Sequence, residues 1–158
     1  MERKDKENYY LDIAETVLKR STCLRRKYGA IIVLSDEIIA TGYNGAPRGR
    51  RNCIDICKCL RDELGIPSFE RYELCRSVHA EANSIISAAR RDMIGATLYL
   101  AGRNAKTGDL LSDTTPCLMC RRLIINSGIT TTVCRIGPDD FTITNTRDWV
   151  FNDDSLEE

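Results

Sequence analysis

Apolar residues recur at helical spacing near the start of the chain. Leu11, Ala14, Val17 and Leu18 fall on one stripe between positions 9 and about 20, which predicts a first amphipathic helix with one face on a core. The period then changes: GAIIVLS (29–35) and EIIATGY (37–43) are short β-branched runs separated by almost nothing, and they predict a hairpin turning around Ser35 and Asp36. The stretch NGAPRGRRNC that follows is rich in Gly, Pro and Arg. It opens a long irregular segment, 44–76, that carries Cys53, Cys57, Cys59 and Cys75; segments of this length without periodicity are functional or pinned. From about Val78, small or apolar residues at Ala82, Ile85, Ile86 and Ala89 predict a second helix, and ATLYLAG (96–102) predicts a strand. A polar loop, NAKTGDLLSDTT, leads to Pro116, which starts a third helix through Leu118, Leu123, Ile124 and Ile125 that closes near Gly128; ITTTVCRI is another strand. The acidic tail, 150–158, with its NDDSLEE run, is expected to fray. Helices alternate with strands, so the pattern predicts an α/β chain in which a mixed sheet is covered by helices on both faces. The order of the strands is not legible in this pattern.

Composition narrows the picture. The chain has 158 residues, no internal repeat and no low-complexity segment, which predicts one domain over 1–158. A domain of that size buries about 70% of the surface that its unfolded chain exposes, so it needs no staple for size alone. Lys plus Arg and Asp plus Glu both count 23, and a net charge of zero advertises no polyanionic partner; nucleic-acid binding is not expected. MERKDKENYY is too charged for a signal peptide, and no apolar run approaches the ~20 residues of a membrane span, so no membrane association and a cytoplasmic location are expected. In a reducing compartment, eight cysteines point to metal binding or catalysis in preference to disulfides. Cys134, inside ITTTVCRI, is the best candidate for a plain buried thiol.

The chemistry concentrates at two helix starts. T-P-C-L-M-C puts Cys117 and Cys120 in the first turn of the third helix, where the positive end of the helix dipole favours the thiolate that metals bind. His79, the single histidine, holds the equivalent place on the preceding helix. One nitrogen and two sulfurs suit tetrahedral zinc with a fourth position left for water, and such a zinc lowers the pKa of its water to about 7. Glu81, two residues after His79, is placed to carry that water's proton without binding the metal. H-x-E followed by P-C-x-x-C is the signature of zinc-dependent deaminases.

With these residues on the page a resemblance is visible. HAEANSII and PCLMC resemble the cytidine and deoxycytidylate deaminase superfamily, and STCLRRKYGAIIV with ATGYNGAPRG is similar to its deoxycytidylate (dCMP) deaminase branch, from about 21 to 136. The resemblance implies a three-layer α/β/α sandwich around a mixed five-stranded sheet, hydrolysis of dCMP to dUMP with release of ammonia, and a homo-oligomer. It assigns His79, Cys117 and Cys120 to the catalytic zinc, Glu81 to proton transfer, and Asn44 and Ala80 to substrate binding. Arg25, in the LRRK run, is the candidate for the substrate phosphate, because a guanidinium can grip it with two donors; a solvated basic end of the first helix is the alternative for Arg25, Arg26 and Lys27. Arg48, Arg50 and Arg51 are other phosphate candidates. The glycine-rich turn beside them helps to hold a nucleotide effector in some relatives, which raises a nucleoside triphosphate as a further partner.

The resemblance also implies a second, structural zinc, with Cys23 and Cys53 as ligands and Cys59 and Cys75 as completions; Cys57 competes with these, and separate buried thiols are the alternative. A closed four-thiolate site contributes folding free energy of order 10 kcal/mol and would order the irregular segment. One departure from the superfamily is the long loop 103–115 before the cysteines, which is expected to lid the pocket or to alter which substrate fits. Three rival functions remain open from the residues alone. These are a tRNA adenosine deaminase, a free cytidine or deoxycytidine deaminase, and a non-enzymatic zinc-binding module that would have no use for Glu81.

Overall fold

The computed structural model describes residues 2–152; the end of the acidic tail, 153–158, lies outside the described residues. The chain begins with α1 (Lys6–Leu18), which starts three residues earlier than its apolar stripe because the Asp5 side chain caps it by accepting from the Asn8 N–H at 2.8 Å. β1 (Arg26–Leu34) and β2 (Glu37–Tyr43) form the expected hairpin. Ser35 and Asp36 both take positive φ, 50° and 65°, as a two-residue turn matched to the strand twist requires. The LRRK run therefore leads into a strand, and the alternative of a basic helix end for Arg25, Arg26 and Lys27 is corrected: α1 has already ended at Leu18.

The segment expected to be irregular contains only short pieces, α2 (Cys53–Ile56), α3 (Leu60–Glu63) and a 3-10 turn at Tyr72–Leu74. The second predicted helix is split. α4 (Ala80–Ile86) stops where Ser84 and Ser87 turn their hydroxyls back onto the carbonyls of Glu81 and Asn83, and Ala89 then caps α5 (Arg90–Met93). β3 (Thr97–Asn104), α6 (Leu118–Ser127) and β4 (Thr131–Arg135) follow, α6 ending on Gly128 at φ 86°. Beyond the predicted elements, FTITN pairs as β5 (Phe141–Asn145), and α7 (Thr146–Phe151) takes in the start of the tail.

The sheet order is β2-β1-β3-β4-β5, with β3 and β4 parallel and the other pairs antiparallel. Alternation along the central strands sorts two cores. Ile31, Val33, Tyr99 and Ala101 face α1 with Leu11 and Ala14, whereas Ala30, Ile32, Leu98 and Leu100 face the other way, with Ala80, Met93 and Ile124 from α4, α5 and α6. The result is the expected three-layer α/β/α sandwich. Cys134 lies in the second core, 3% exposed, as the apolar run predicts.

Two glycines set the helices close to the sheet. A Cβ on Gly29 would lie 2.1 Å from the Ala14 carbonyl of α1, and one on Gly42 would lie 2.3 Å from the Ala80 carbonyl of α4. The second contact brings the start of α4, and so the HAE motif, down onto β2. Among the described residues no helix is long and apolar enough to cross a membrane.

Candidate metal centre and active-site cavity

His79 is the N-cap of α4 and Cys117 the N-cap of α6, so the two helix starts present the same position to each other. Pro116 precedes the cap, two places before the first helical position at Leu118. His79 Nδ1 lies 3.5 Å from Cys117 Sγ and 3.4 Å from Cys120 Sγ. Among the described residues these three are the group of potential ligands whose donor atoms all fall within 4.8 Å of one another. The geometry fits a zinc ion: one imidazole nitrogen and two thiol sulfurs converge, and among the described residues no fourth protein donor joins them at that range.

Electrostatics are consistent with that role. The Cys117 thiol is held down to about 4, first by its bond with Cys120 and then, against burial, by His79. Once it ionises, its charge keeps the proton on Cys120 and drives that thiol upward. Burial works to lower the His79 pKa, but Cys117 and Cys75 raise it to about 10. Glu81, in the first turn of α4, is 5% exposed. Burial pushes its carboxyl above the ordinary range, against the pull of His79, and the carboxyl reaches the Cys120 thiol.

The site opens into a cavity of about 450 Å³ lined by His79, Ala80, Glu81 and Cys117 on one wall. Asn44 and Arg25 also line it. Asn44 is buried and ties the loop at Ser21 to the start of β1: its Oδ1 accepts from Ser21 Oγ at 2.5 Å and from the Tyr28 N–H at 2.8 Å, and its Nδ2 donates to the Arg26 carbonyl at 2.9 Å. The amide therefore stands at the cavity edge in one fixed orientation. Arg25 Nε pairs with Asp62 at 2.9 Å, while its Nη1 is buried without a hydrogen-bond partner. Arg48, Arg50 and Arg51 are exposed on the glycine-rich turn and do not line this cavity.

Cys23, Cys53, Cys59 and Cys75 line the same cavity, near enough for Cys23, Cys59 and Cys75 each to raise the Cys53 pKa, though burial is the larger cause, and Cys75 also reaches His79. Cys57 is exposed, left-handed at φ 52°, and bonds the Ile54 carbonyl. The loop 103–115 is ordered. Asn104 Oδ1 accepts from the Lys106 and Thr107 amides, Leu111 N–H donates to the Gly102 carbonyl, and Asp113 takes both its bonds, at 3.0 and 2.9 Å, from Arg26 Nη1. It forms a strap that delivers Thr115 to the cavity.

The sequence reading did not single out Arg61 or Tyr72. Tyr72 packs edge-on against the His79 ring with centroids 4.5 Å apart, and the Arg61 guanidinium lies over the Tyr72 ring at 4.5 Å. Neither belongs to a motif or a periodic run, so the sequence held no signal for them.

A sheet with two helix starts converging on a His-Cys-Cys group and a buried acid defines the class of a zinc-dependent deaminase fold. The family model for the cytidine and deoxycytidylate deaminase zinc-binding region matches residues 4–136, and the chain belongs to that family. Among its relatives, the deoxycytidylate deaminase of Mycobacterium phage D29 is 39% identical over 134 residues, covering 82% of this chain and 93% of that protein. The deoxycytidylate deaminase of Schizosaccharomyces pombe is 35% identical over 123 residues, 78% of this chain, which spans 34% of the length of that relative. Of solved structures, a dCMP deaminase from the cyanophage S-TIM5 in complex with dCMP and dUMP superposes with a TM-score of 0.61 at 26% identity, covering 85% of this chain and 84% of that one.

Proposed function

We propose that the protein hydrolyses dCMP to dUMP and ammonia. The observation that carries this reading is the convergence of His79, Cys117 and Cys120, at 3.4–3.5 Å, beside the buried Glu81 in a cavity that also holds a guanidinium with an unused donor. Relatives named deoxycytidylate deaminase support the choice of substrate. His79, Cys117 and Cys120 would hold the zinc, which supplies hydroxide from water at neutral pH.

The remaining work falls to the chain. Glu81 accepts one proton of the attacking water and delivers it to N3 of the pyrimidine, where it stays, then takes the second proton from the hydroxyl now on C4 and delivers it to the amine that departs as ammonia, so its raised pKa suits a group that must both take and give a proton. The fixed Asn44 amide orients the nucleoside, and the buried start of α4 at Ala80 forms the floor under the ring. Arg25 turns its free Nη1 toward the phosphate.

A second zinc at Cys23, Cys53, Cys59 and Cys75 is part of the same proposal. Its support is that these four thiols line one cavity while Cys57 is exposed and does not; binding would draw them closer than they stand. A homo-oligomer and a nucleoside triphosphate effector remain proposals carried by the family alone, as does a cytoplasmic location.

The test is ammonia release by purified, zinc-loaded protein offered dCMP and deoxycytidine at equal concentration. Deamination with a strong preference for dCMP is expected. Turnover of neither, with tRNA adenosine or no substrate accepted instead, would overturn the reading.

A further inference from the structure

Between positions 46 and 78 two side chains are buried, Cys53 and Arg61. Arg61 is 6% exposed, on the four-residue helix α3. A guanidinium taken that far from water is expected to be paired, because an uncompensated buried charge costs several kcal/mol. Arg135 shows the usual solution: 3% exposed at its side chain, it is paired with Asp12 at 2.9 Å and Glu15 at 3.2 Å and bonds the Asn8 carbonyl at 3.2 Å.

Arg61 shares with Arg135 a buried Nε that lacks a hydrogen bond, but it differs in its surroundings. Among the described residues no carboxylate lies within 4.0 Å of it: the acids of its own helix are engaged elsewhere, Asp62 with Arg25 and Glu63 with Lys58. Its Nη2 donates to the Pro67 carbonyl at 2.6 Å, its face rests on Tyr72, and its Nε is buried with no partner. Arg25 Nη1 is in the same condition, and both arginines line the cavity that His79 and Glu81 line.

We infer that Arg61, together with Arg25, binds the phosphate of the substrate, and that Arg61 decides between a nucleoside monophosphate and a free nucleoside. The inference rests on the deamination reading above. A dianion between the two guanidiniums satisfies both orphaned donors and neutralises the charge that the fold leaves unpaired. Tyr72 fixes the spacing, since the same ring carries Arg61 on its face and abuts His79 with its edge. The anion end of the pocket is thereby held at a set distance from the reacting end, which is what orientation of a bound substrate requires.

The experiment compares kcat/KM for dCMP and for deoxycytidine in the native protein, Arg61→Ala and Arg61→Lys. The ratio of the two is expected to fall by about 10- to 100-fold in Arg61→Ala, chiefly through KM for dCMP, the worth of one or two charge-assisted hydrogen bonds. Arg61→Lys keeps the charge without the fork and is expected to lose part of the preference. An equal loss on both substrates would show a purely structural residue and overturn the inference, as would an unaltered ratio. Should Arg61→Ala fail to fold, the Lys variant carries the same comparison. If the native protein deaminates neither substrate, the deamination reading itself falls. Arg61 is then judged by calorimetry of dCMP binding, where an unchanged Kd in Arg61→Lys and Arg61→Ala overturns the inference and a weakened one sustains it.

Discussion

The helix starts that carry His79 and Cys117 rest on a sheet packed on both faces, with Ala80 and Ile124 in the same core as Leu98 and Leu100. The facing wall, 46–78, has no strand and helices of at most four residues, and it buries one cysteine and one arginine. Hydrophobic burial holds the first wall at about 25 cal/mol per Å², and it is nearly absent from the second. What the segment 46–78 has in its place is three thiols, Cys53, Cys59 and Cys75, that share the cavity with Cys23, and a guanidinium stacked on Tyr72. The difference teaches where the chain supplies its own support: burial in a core holds the sheet-backed helix starts, whereas the cysteine-rich segment has little burial to hold it.

Substitutions at each wall test that division. Glu81→Gln on the rigid wall should lower dCMP turnover by about 10²- to 10⁴-fold, with zinc content by atomic absorption and far-UV circular dichroism unaltered. Retained activity would remove the proton-transfer role. On the opposite wall, Cys53→Ser should cost one zinc equivalent while the other remains, and should make 46–78 the first site of limited proteolysis, located by mass spectrometry. Two retained equivalents, or an uncut segment, would break the contrast.

Gly42→Ala probes how far the sheet dictates the site. Its Cβ would sit 2.3 Å from the Ala80 carbonyl and 2.4 Å from the Ser84 N–H, so α4 must shift. A stability loss of about 1–3 kcal/mol in denaturant unfolding is expected. Turnover should also fall by roughly 10- to 100-fold as His79 moves from Cys117.

Cys134 supplies the smallest effect. Its thiol, pushed up to about 12 by burial and then by Glu81, should resist iodoacetamide in the native protein at pH 8 while exposed Cys57 reacts. The folded protein holds that proton more tightly than the unfolded chain does. The contribution is therefore full below about pH 9 and is lost as pH rises toward the folded value. Cys134→Val should cost less than about 1.5 kcal/mol and remove that part of the alkaline decline, measured by urea titrations across pH.

Local signals account for the hairpin, for α1 and α6, and for the residues of the metal group, because spacing, turn residues and helix starts are properties of short windows. The strand FTITN is not predicted although the turn residues Gly137-Pro138-Asp139-Asp140 precede it, because it is short, largely polar and exposed, and the predicted α4 is too long because Ser84 and Ser87 end it through hydroxyl bonds that the apolar period does not register. Within the cysteine-rich segment, the spacing of the thiols does not say that Cys59 and Cys75 line the cavity while Cys57 is exposed, because that depends on how the segment folds back.

By itself, the sequence determined the chemistry: one imidazole, two helix-start thiols and an acid two residues from the histidine, in an order that few other functions use. Tertiary structure decided the strand order, the course of the loop 103–115 as a strap held by Arg26 and Asp113, and the place of Arg61 and Tyr72 beside His79. The physical reason is range. Helix dipoles, capping and ligand spacing act over a turn or two of chain, whereas an unpaired buried guanidinium is defined by every acid in the fold that fails to reach it.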